Sequence, residues 1–497
     1  MTRNYPHILE HGNLDSMLLA SITTRYQQSK LSRQWNCEPC SHIPGGVFGL
    51  HAFSLIKKAQ REGQVAHTLR EYHLRYGNTI NSNVLGRNLI FTVDSENIQA
   101  MLSNHFSSFG LSTHRYAQYS PFLGEGIFTS DGQAWEQTRK LLRPQFAKDA
   151  MPSLQWFDYH FQHLMQNFAS DGQPFDIQEI FFRLSLDTAT GFLFGESVES
   201  LVSASQNRTG IPENSVRGKS PGFAEAFDHA QHICFQRSAM LEFYPLINPS
   251  SFRTATAVVH RFINYYVNKA LQCGKEKDIE KDPDGRYHFL CALAGHTDDP
   301  KVLRDRLVNV LLASRDDVGS LLSSIFYPLA RDQVAWQKLK DEVTAAVSGA
   351  ALRLFPPVPL NARFPLHDTT LPVGGGPDDQ SPVFVRKGQV VGYSVWSLHR
   401  RPDLWGPDAE SFRPERWQGR KQTVADFLPF NSGPRVCPGQ QFAVVQVSHM
   451  IFRAVQHLDR VENADLGPDL GMHPRMRQTL TMSHENGVCV RVYRSSA

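Results

Sequence analysis

One cysteine in this chain stands in a setting suited to metal chemistry. The run Phe430-Asn431-Ser432-Gly433-Pro434-Arg435-Val436-Cys437-Pro438-Gly439 puts it in a glycine-bounded loop, two residues after an arginine and just ahead of an amphipathic segment. A thiolate projecting from a tight loop suits axial ligation of haem iron. Glycines let the backbone pass close to a flat macrocycle, and Arg435 can pair with a carboxylate on its rim. A lone cysteine is by default a buried structural residue. Against that default stands the unbroken pattern Phe-x-x-Gly-x-Arg-x-Cys-x-Gly near the C-terminus.

The elements that must position this loop belong to one large domain. The 497 residues show no long linker, internal repeat or low-complexity tract. A polar lead over residues 1–42, without a membrane span, precedes a domain over 43–497. The net charge of +3, with scattered basic residues, argues against a nucleic-acid partner. Seven cysteines spread over the chain do not form a disulfide framework and fit a reducing, intracellular compartment. Cys37-Glu38-Pro39-Cys40 has the spacing of a metal pair, but no second pair follows, so it reads as a loop. Near the start, the apolar run Met17 to Ile22 falls far short of the roughly 20 residues that a span needs. That run is also too short and poorly flanked for a secretory signal.

Apolar spacing predicts a fold that is mainly α with small β-sheets. A helical stretch lies near Leu55 to Gln60, followed by strands around Ile80 to Val84 and Leu89 to Val93. Asp94-Ser95 offers an N-cap for a helix running to Leu102. From Asp149 to Tyr266 the pattern is mostly helical, as in Phe223 to Phe243, with a surface loop over Gln206 to Pro221. Val302 to Ala330 reads as a long amphipathic helix with Leu303, Leu307, Leu311, Leu322 and Ile325 largely along one face. Strands and Gly-rich turns fill Pro356 to Val395, a last helix spans Gln441 to His457, and Asn486-Gly487 suggests a terminal hairpin.

From Ile43 to the C-terminus the chain resembles the cytochrome P450 superfamily, first through the cysteine motif. Trp135-Glu136-Gln137-Thr138-Arg139, followed by Lys140-Leu141-Leu142-Arg143-Pro144-Gln145-Phe146, looks like the family's Trp-x-x-x-Arg helix. Residues four apart share a helix face, so Trp135 and Arg139 can both reach haem propionates. Arg363, just past Pro356-Pro357-Val358-Pro359, stands at another propionate-binding position, and Phe412-Arg413-Pro414-Glu415-Arg416-Trp417 resembles the meander before the cysteine loop. The resemblance implies a single-domain cytochrome P450 fold and haem b (iron protoporphyrin IX) ligated by Cys437. Trp135, Arg139, Arg363 and Arg435 would hold propionates, with Phe430 and Gly439 also against the cofactor.

Within the superfamily, Phe430 to Arg435 with Gly439-Gln440-Gln441-Phe442-Ala443 looks like the fungal alkane- and fatty-acid-hydroxylating branch. Gly126-Ile127-Phe128-Thr129-Ser130-Asp131-Gly132 and Tyr393-Ser394-Val395-Trp396-Ser397-Leu398-His399-Arg400 point the same way. The implied reaction is hydroxylation of a long-chain fatty acid or n-alkane at or near its terminus, using O2. Electrons would come from NADPH-cytochrome P450 reductase docking near the cysteine face, with Lys140, Arg400, Arg401, Arg420 and Lys421 as candidate basic contacts. Phe106, Phe109, Leu111, Phe122, Leu360 and Leu480 are pocket candidates by position. The family's eukaryotic members sit on the endoplasmic reticulum membrane through an N-terminal helix. With no such anchor in the sequence, contact would fall to apolar loops near Phe48 to Leu55.

Two departures from the family pattern bear on activity. The long helix usually carries Ala/Gly-Gly-x-Asp/Glu-Thr-Thr; here it reads Ala313-Ser314-Arg315-Asp316-Asp317-Val318-Gly319. Asp316 keeps the acid position and, with Asp317, would handle protons, while Asp317 and Val318 replace the two threonines. A carboxylate does not substitute cleanly for a hydroxyl that both donates and accepts, so impaired coupling is expected. The second departure is Ala350-Ala351-Leu352-Arg353, with alanine where Glu-x-x-Arg has its glutamate. The segment between Glu342-Val343 and Ser348 also looks shortened. Arg353 and Arg416 would then share a buried site unpaired, a loss that typically costs about 3–5 kcal/mol. The rival reading is a peroxide-using or catalytically impaired haem protein, or a non-functional remnant.

Overall fold

Asp299 and Pro300 start the element on which the rest is hung. The Asp299 side chain accepts from the Lys301 and Val302 amides, and Pro300 occupies the first turn, where no N–H is needed. The helix then runs uninterrupted over Pro300–Arg331, about 48 Å at 1.5 Å per residue. Leu303, Leu307, Leu311, Leu322 and Ile325 are all fully buried, as their spacing predicts. Each contributes about 1.5–3 kcal/mol by leaving water. The apolar helix Ile177–Phe194 packs along it. The computed structural model describes residues 14–147, 151–205, 222–273, 289–341, 345–418, 425–468 and 470–495.

Helices dominate, and the sheets sit at the edges, so the expected fold class is observed. The strand signals appear as Thr79–Val84 and Arg87–Thr92, paired antiparallel with Thr79 opposite Thr92. They belong to a six-stranded sheet that also includes Val391–Ser394 and Leu360–Pro365, in which Arg363 pairs with Val391. Residues of the polar lead join the same sheet: Ser41–Ile43 pairs in parallel with Thr79–Val84. Cys40 is buried, and Trp35 packs on Phe384 with ring centroids 5.7 Å apart.

Several local expectations need correction. Asp94 stands at the N-cap position as expected, but its carboxylate makes no bond to the helix amides; it accepts from Thr79 Oγ1 at 2.7 Å, tying the helix start to the sheet. The helix from Phe223 stops at Ala239, and Leu241 adopts φ 48° before a 3-10 turn over Leu241–Leu246 that contains Pro245. Asn486-Gly487 does not close a hairpin: Met482–His484 pairs with Met476–Gln478, whereas Cys489–Arg494 pairs with Leu458–Asn463 and Phe175–Asp176. Gly487 is needed because a Cβ there would lie 2.2 Å from the Asp176 carboxylate, at φ 76°. Gln206 to Pro221, Glu342-Val343, Arg420 and Lys421 lie outside the described residues. Among the described residues, no helix is long and apolar enough to cross a membrane.

The Gly126-to-Gly132 run is seated directly on the long helix. Asn309 Nδ2 donates to the Leu123 carbonyl at 2.8 Å, and its Oδ1 accepts from the Phe128 amide at 3.1 Å. The Asp305 carboxylate accepts from the Glu125 amide at 3.2 Å. These bonds fix where the helix Gly132–Leu142, with Trp135 and Arg139, begins.

Candidate active site

The cysteine loop is held by its own backbone. The Cys437 amide donates to the Phe430 carbonyl at 2.9 Å, closing the turn just ahead of the helix Gln440–His457. Gly433 is required there: at φ 67°, a Cβ would lie 1.8 Å from the Leu102 carbonyl oxygen. Gly439 has more room, since its Cβ would meet only Phe146 at 3.6 Å. Close approach within the protein thus explains Gly433, while Gly439 borders open space.

That space is a cavity of about 580 Å³ with a largely apolar lining. Phe430, Cys437, Gly439, Trp135, Arg139, Arg363 and Arg435 all line it, so seven of the expected site residues converge. Cys437 is half-buried at the cavity wall, and burial, then the Asp317 carboxylate, push its thiol up to about 11. The Gly439 amide, by hydrogen bonding to it, and the Arg139 charge pull the other way. A bound cation at the sulfur would reverse that balance and hold a thiolate.

Positive charge gathers at the same end. Arg435 Nη2 donates to Asp131 Oδ1 at 2.6 Å and to the Ser130 carbonyl at 3.1 Å, while its guanidinium carbon sits 4.3 Å from the Trp135 ring centroid. Arg363 Nη1 donates to the Ala362 carbonyl at 2.9 Å and to Asn361 Oδ1 at 3.3 Å. Arg115, which no sequence motif marks, reaches the same Asn361 Oδ1 at 3.4 Å and the Phe128 carbonyl at 3.1 Å. Burial lowers Arg435 to about 10; Asp131 opposes this, and Arg363, Arg115 and Arg139 add to it.

Four guanidinium groups therefore face one carboxylate. The Nε atoms of Arg363 and Arg435 are buried with no hydrogen-bond partner among the described residues. Buried donors without acceptors are rare in folded proteins, and these two belong to residues that line the cavity, where ligand carboxylates would accept from them. A planar ligand with two carboxylates, beside the Cys437 sulfur, satisfies both the charge and the donors. The donor set fits haem.

The opposite wall comes from the long helix, and here the two expected acids part company. Asp317 faces the cavity; its buried Oδ1 has no partner, and burial, then Asp316, push its carboxyl up to about 8. Asp316 is not among the lining residues. Its carboxylate accepts from Arg315 Nη1 at 2.9 Å and from Thr481 Oγ1 at 3.4 Å. Arg315 also pairs with Asp228 at 2.5 Å, so Asp316 belongs to an ion-pair chain reaching the exposed Asp228. The Ser314 hydroxyl donates to the Val310 carbonyl at 2.9 Å, and the helix continues without a break.

The expected pair of naked arginines is not found. Arg353 Nη1 donates to the His399 carbonyl at 2.8 Å and Nη2 to the Ser411 carbonyl at 2.9 Å, with the Ala409 carbonyl as a third acceptor. Arg416 pairs with the Asp408 carboxylate at 2.8 Å and with the Trp405 carbonyl. Backbone carbonyls and Asp408 take over from the absent glutamate. Gly349 permits this packing, since a Cβ there would lie 2.9 Å from the Trp417 ring.

Other candidates are redistributed. Arg400 is fully buried, stacked 3.5 Å from the Trp396 ring centroid and bonded to Glu410 at 3.0 Å, so it offers nothing to an external partner. Arg401 is engaged by Asp94, Asp403 and the Val93 carbonyl. Lys140 is exposed. Leu111, Leu360 and Leu480 line the cavity, whereas Phe106, Phe109 and Phe122 do not. Phe122 packs against Phe227, and Phe106 backs Trp135 at 5.6 Å.

Comparison with known proteins agrees with this site. The cytochrome P450 family matches residues 44–466. Cytochrome P450 52A3-A of Candida maltosa is 39% identical over 95% of this chain and 94% of its own length. Cytochrome P450 52A12 of Debaryomyces hansenii is 41% identical over 89% of each chain, and cytochrome P450 52A6 of Candida tropicalis 38% identical over 96% of this one. These relatives bear out the resemblance to the superfamily and its fungal branch.

Proposed function

We propose that this chain, which belongs to the cytochrome P450 family and is a haem-dependent monooxygenase, hydroxylates long-chain fatty acids or n-alkanes at or near the chain end. The observation that carries this reading is the cavity itself: apolar along its length, with Cys437 and the four arginines at one end. Cys437 ligates iron, while Arg115, Arg139, Arg363 and Arg435 hold the propionates, with Trp135 stacked under Arg435. When bound, haem supplies dioxygen activation and oxygen insertion, aided by electron donation from the thiolate. The protein's share is to exclude water and to orient the chain end. Leu111, Val310, Leu321, Leu360 and Leu480 form the surface against which an alkyl chain would lie.

Asp317 is the group placed to hold or pass a proton at the cavity wall, with Asp316 behind it through Thr481 and Arg315. NADPH-cytochrome P450 reductase is the electron donor in this reading, and exposed Lys140 is one available contact. Contact with a membrane, that of the endoplasmic reticulum in this reading, is supported by exposed Val47, Phe48, Leu50, Phe243 and Leu246. These flank an apolar cluster of Ala52, Val84, Leu89 and Leu241, of which all four also border the cavity.

A second reading is favoured by one observation, the carboxyl of Asp317 where a threonine is expected. In it, peroxide replaces dioxygen and external electrons: substrate and hydrogen peroxide give the alcohol and water. Turnover of palmitate and hexadecane decides between them. Conversion with NADPH and reductase exceeding that with peroxide supports the monooxygenase; the reverse supports the peroxide-driven enzyme. No product from either substrate class under either regime contradicts the proposed chemistry.

A further inference from the structure

The turn that presents Cys437 is anchored at its start by a buried histidine. His399 follows the short helix Val395–Leu398 and is fully enclosed, with the Phe427 ring 5.1 Å and the Trp405 ring 6.2 Å away. Its Nδ1 lies 3.1 Å from the Arg353 carbonyl oxygen, and its Nε2 lies 2.8 Å from the Leu428 amide nitrogen. A carbonyl only accepts and an amide N–H only donates. The two partners therefore select one neutral tautomer, with the proton on Nδ1 and the lone pair on Nε2. Burial and the adjacent Arg353 charge keep the ring neutral.

Arg353 returns the contact by donating Nη1 to the His399 carbonyl. Three segments that are distant in sequence thus meet at one ring: the helix Ala345–Leu354, residues 395–399, and the start of the cysteine loop. From Leu428 the link to the metal ligand is short. The Leu428 carbonyl accepts from the Asn431 amide at 3.2 Å, and the Phe430 carbonyl accepts from the Cys437 amide at 2.9 Å. Asn431, at φ 64°, is pinned in turn by Tyr393 Oη at 3.1 Å.

We propose that His399 is a positioning residue for the thiolate: by joining the Leu428 amide to the Arg353 carbonyl, it sets where the 428–437 turn begins and so where Cys437 points. Residue 350 is alanine; the His399, Ala409 and Ser411 carbonyls hold the Arg353 guanidinium, and the His399 ring holds the Arg353 main chain. This inference rests on Cys437 being the haem ligand.

The test uses the full haem-loaded chain with His399→Gln, His399→Asn and His399→Ala. Glutamine can place an oxygen near the Nε2 position and keep the Leu428 bond, whereas asparagine reaches only the Nδ1 position. The readout is the carbonyl spectrum of the reduced protein, which separates thiolate from thiol ligation, beside helix content by circular dichroism. His399→Gln is expected to keep most of the red-shifted thiolate band. His399→Asn and His399→Ala are expected to bind haem yet lose most of that band. Equal bands in all three would overturn the proposal. So would a loss that merely follows the unfolding midpoint across the variants and the control Leu339→Ala, a core change in the helix Gln333–Asp341.

Should the smaller variants fail to fold, amide exchange in the unsubstituted chain decides. Leu428 is expected to be protected as strongly as the core helices; rapid exchange there overturns the role of His399. Absence of the thiolate band from the unsubstituted chain would instead count against Cys437 as ligand, and is thereby distinguishable.

Discussion

The two ends of the cavity follow different rules. At the cysteine end, the loop keeps its whole pattern, four arginines converge, and two buried Nε donors wait for acceptors. On the long-helix wall, Ser314 bonds the Val310 carbonyl, Asp317 carries a carboxyl where a hydroxyl is expected, and Asp316 is turned into an ion-pair chain. Holding a dianionic cofactor requires charge and reach, which this chain retains in full. Managing protons requires a particular group at a particular wall, and there this chain departs. The two tasks are physically separable, so one can drift while the other stays intact.

The largest effect should come from the cysteine end. Cys437→Ala removes the sulfur, and the thiolate-type carbonyl band should vanish completely while the arginines still capture some haem. Retention of that band would break the comparison at once. Next, Arg435→Ala deletes charge-assisted bonds worth about 1.5–3 kcal/mol, so haem should bind about tenfold or more weakly. Arg115→Ala should have a smaller effect because Arg435 has a buried Nε without an acceptor among the described residues, whereas Arg115 has no such donor. Haem transfer to apomyoglobin measures both.

Changes on the helix wall should leave the arginine end of the cavity in place and chiefly alter the use of oxygen. Asp317→Thr restores a hydroxyl that donates and accepts, and product formed per NADPH should rise several-fold as leaked peroxide falls. Unchanged stoichiometry would show that residue 317 does not handle the proton. A further effect is on stability. Asp317 rises in the folded chain from 3.8 to about 8 through burial and Asp316. A raised folded value means the folded chain holds the proton more tightly. That contribution is whole below pH about 4 and is lost as pH climbs towards the folded value. Urea midpoints of the haem-free chain should decline over that range, and Asp317→Asn should flatten the decline.

What could be read in the sequence were residue types in fixed local spacing. The leucine face of the long helix repeats every turn or two, so periodicity reveals it, while the cysteine loop and Trp135 with Arg139 were legible as local motifs that resemble the family's. Arg115 was invisible because nothing beside it on the helix Ser112–Leu123 marks a site; only the fold brings it to Asn361. The environment of Arg353 was misjudged because its acceptors are backbone carbonyls, which residue identities do not encode. Arg400 looked like surface charge, yet the Trp396 ring four residues before it and the Glu410 carboxylate make its burial tolerable. Asp316 and Asp317 are adjacent in sequence, and helical geometry turns them about 100° apart, so only one can face the cavity.

The most direct test of the central claim is the carbon-monoxide difference spectrum of the full, unsubstituted chain after haem loading and reduction. A dominant red-shifted Soret band is predicted, because Cys437 lines the cavity with the four arginines, and the Gly439 amide and Arg139 favour its thiolate against burial and Asp317. A band characteristic of thiol or histidine ligation, or no haem uptake at all, would contradict the assignment of this cavity as a haem-thiolate site.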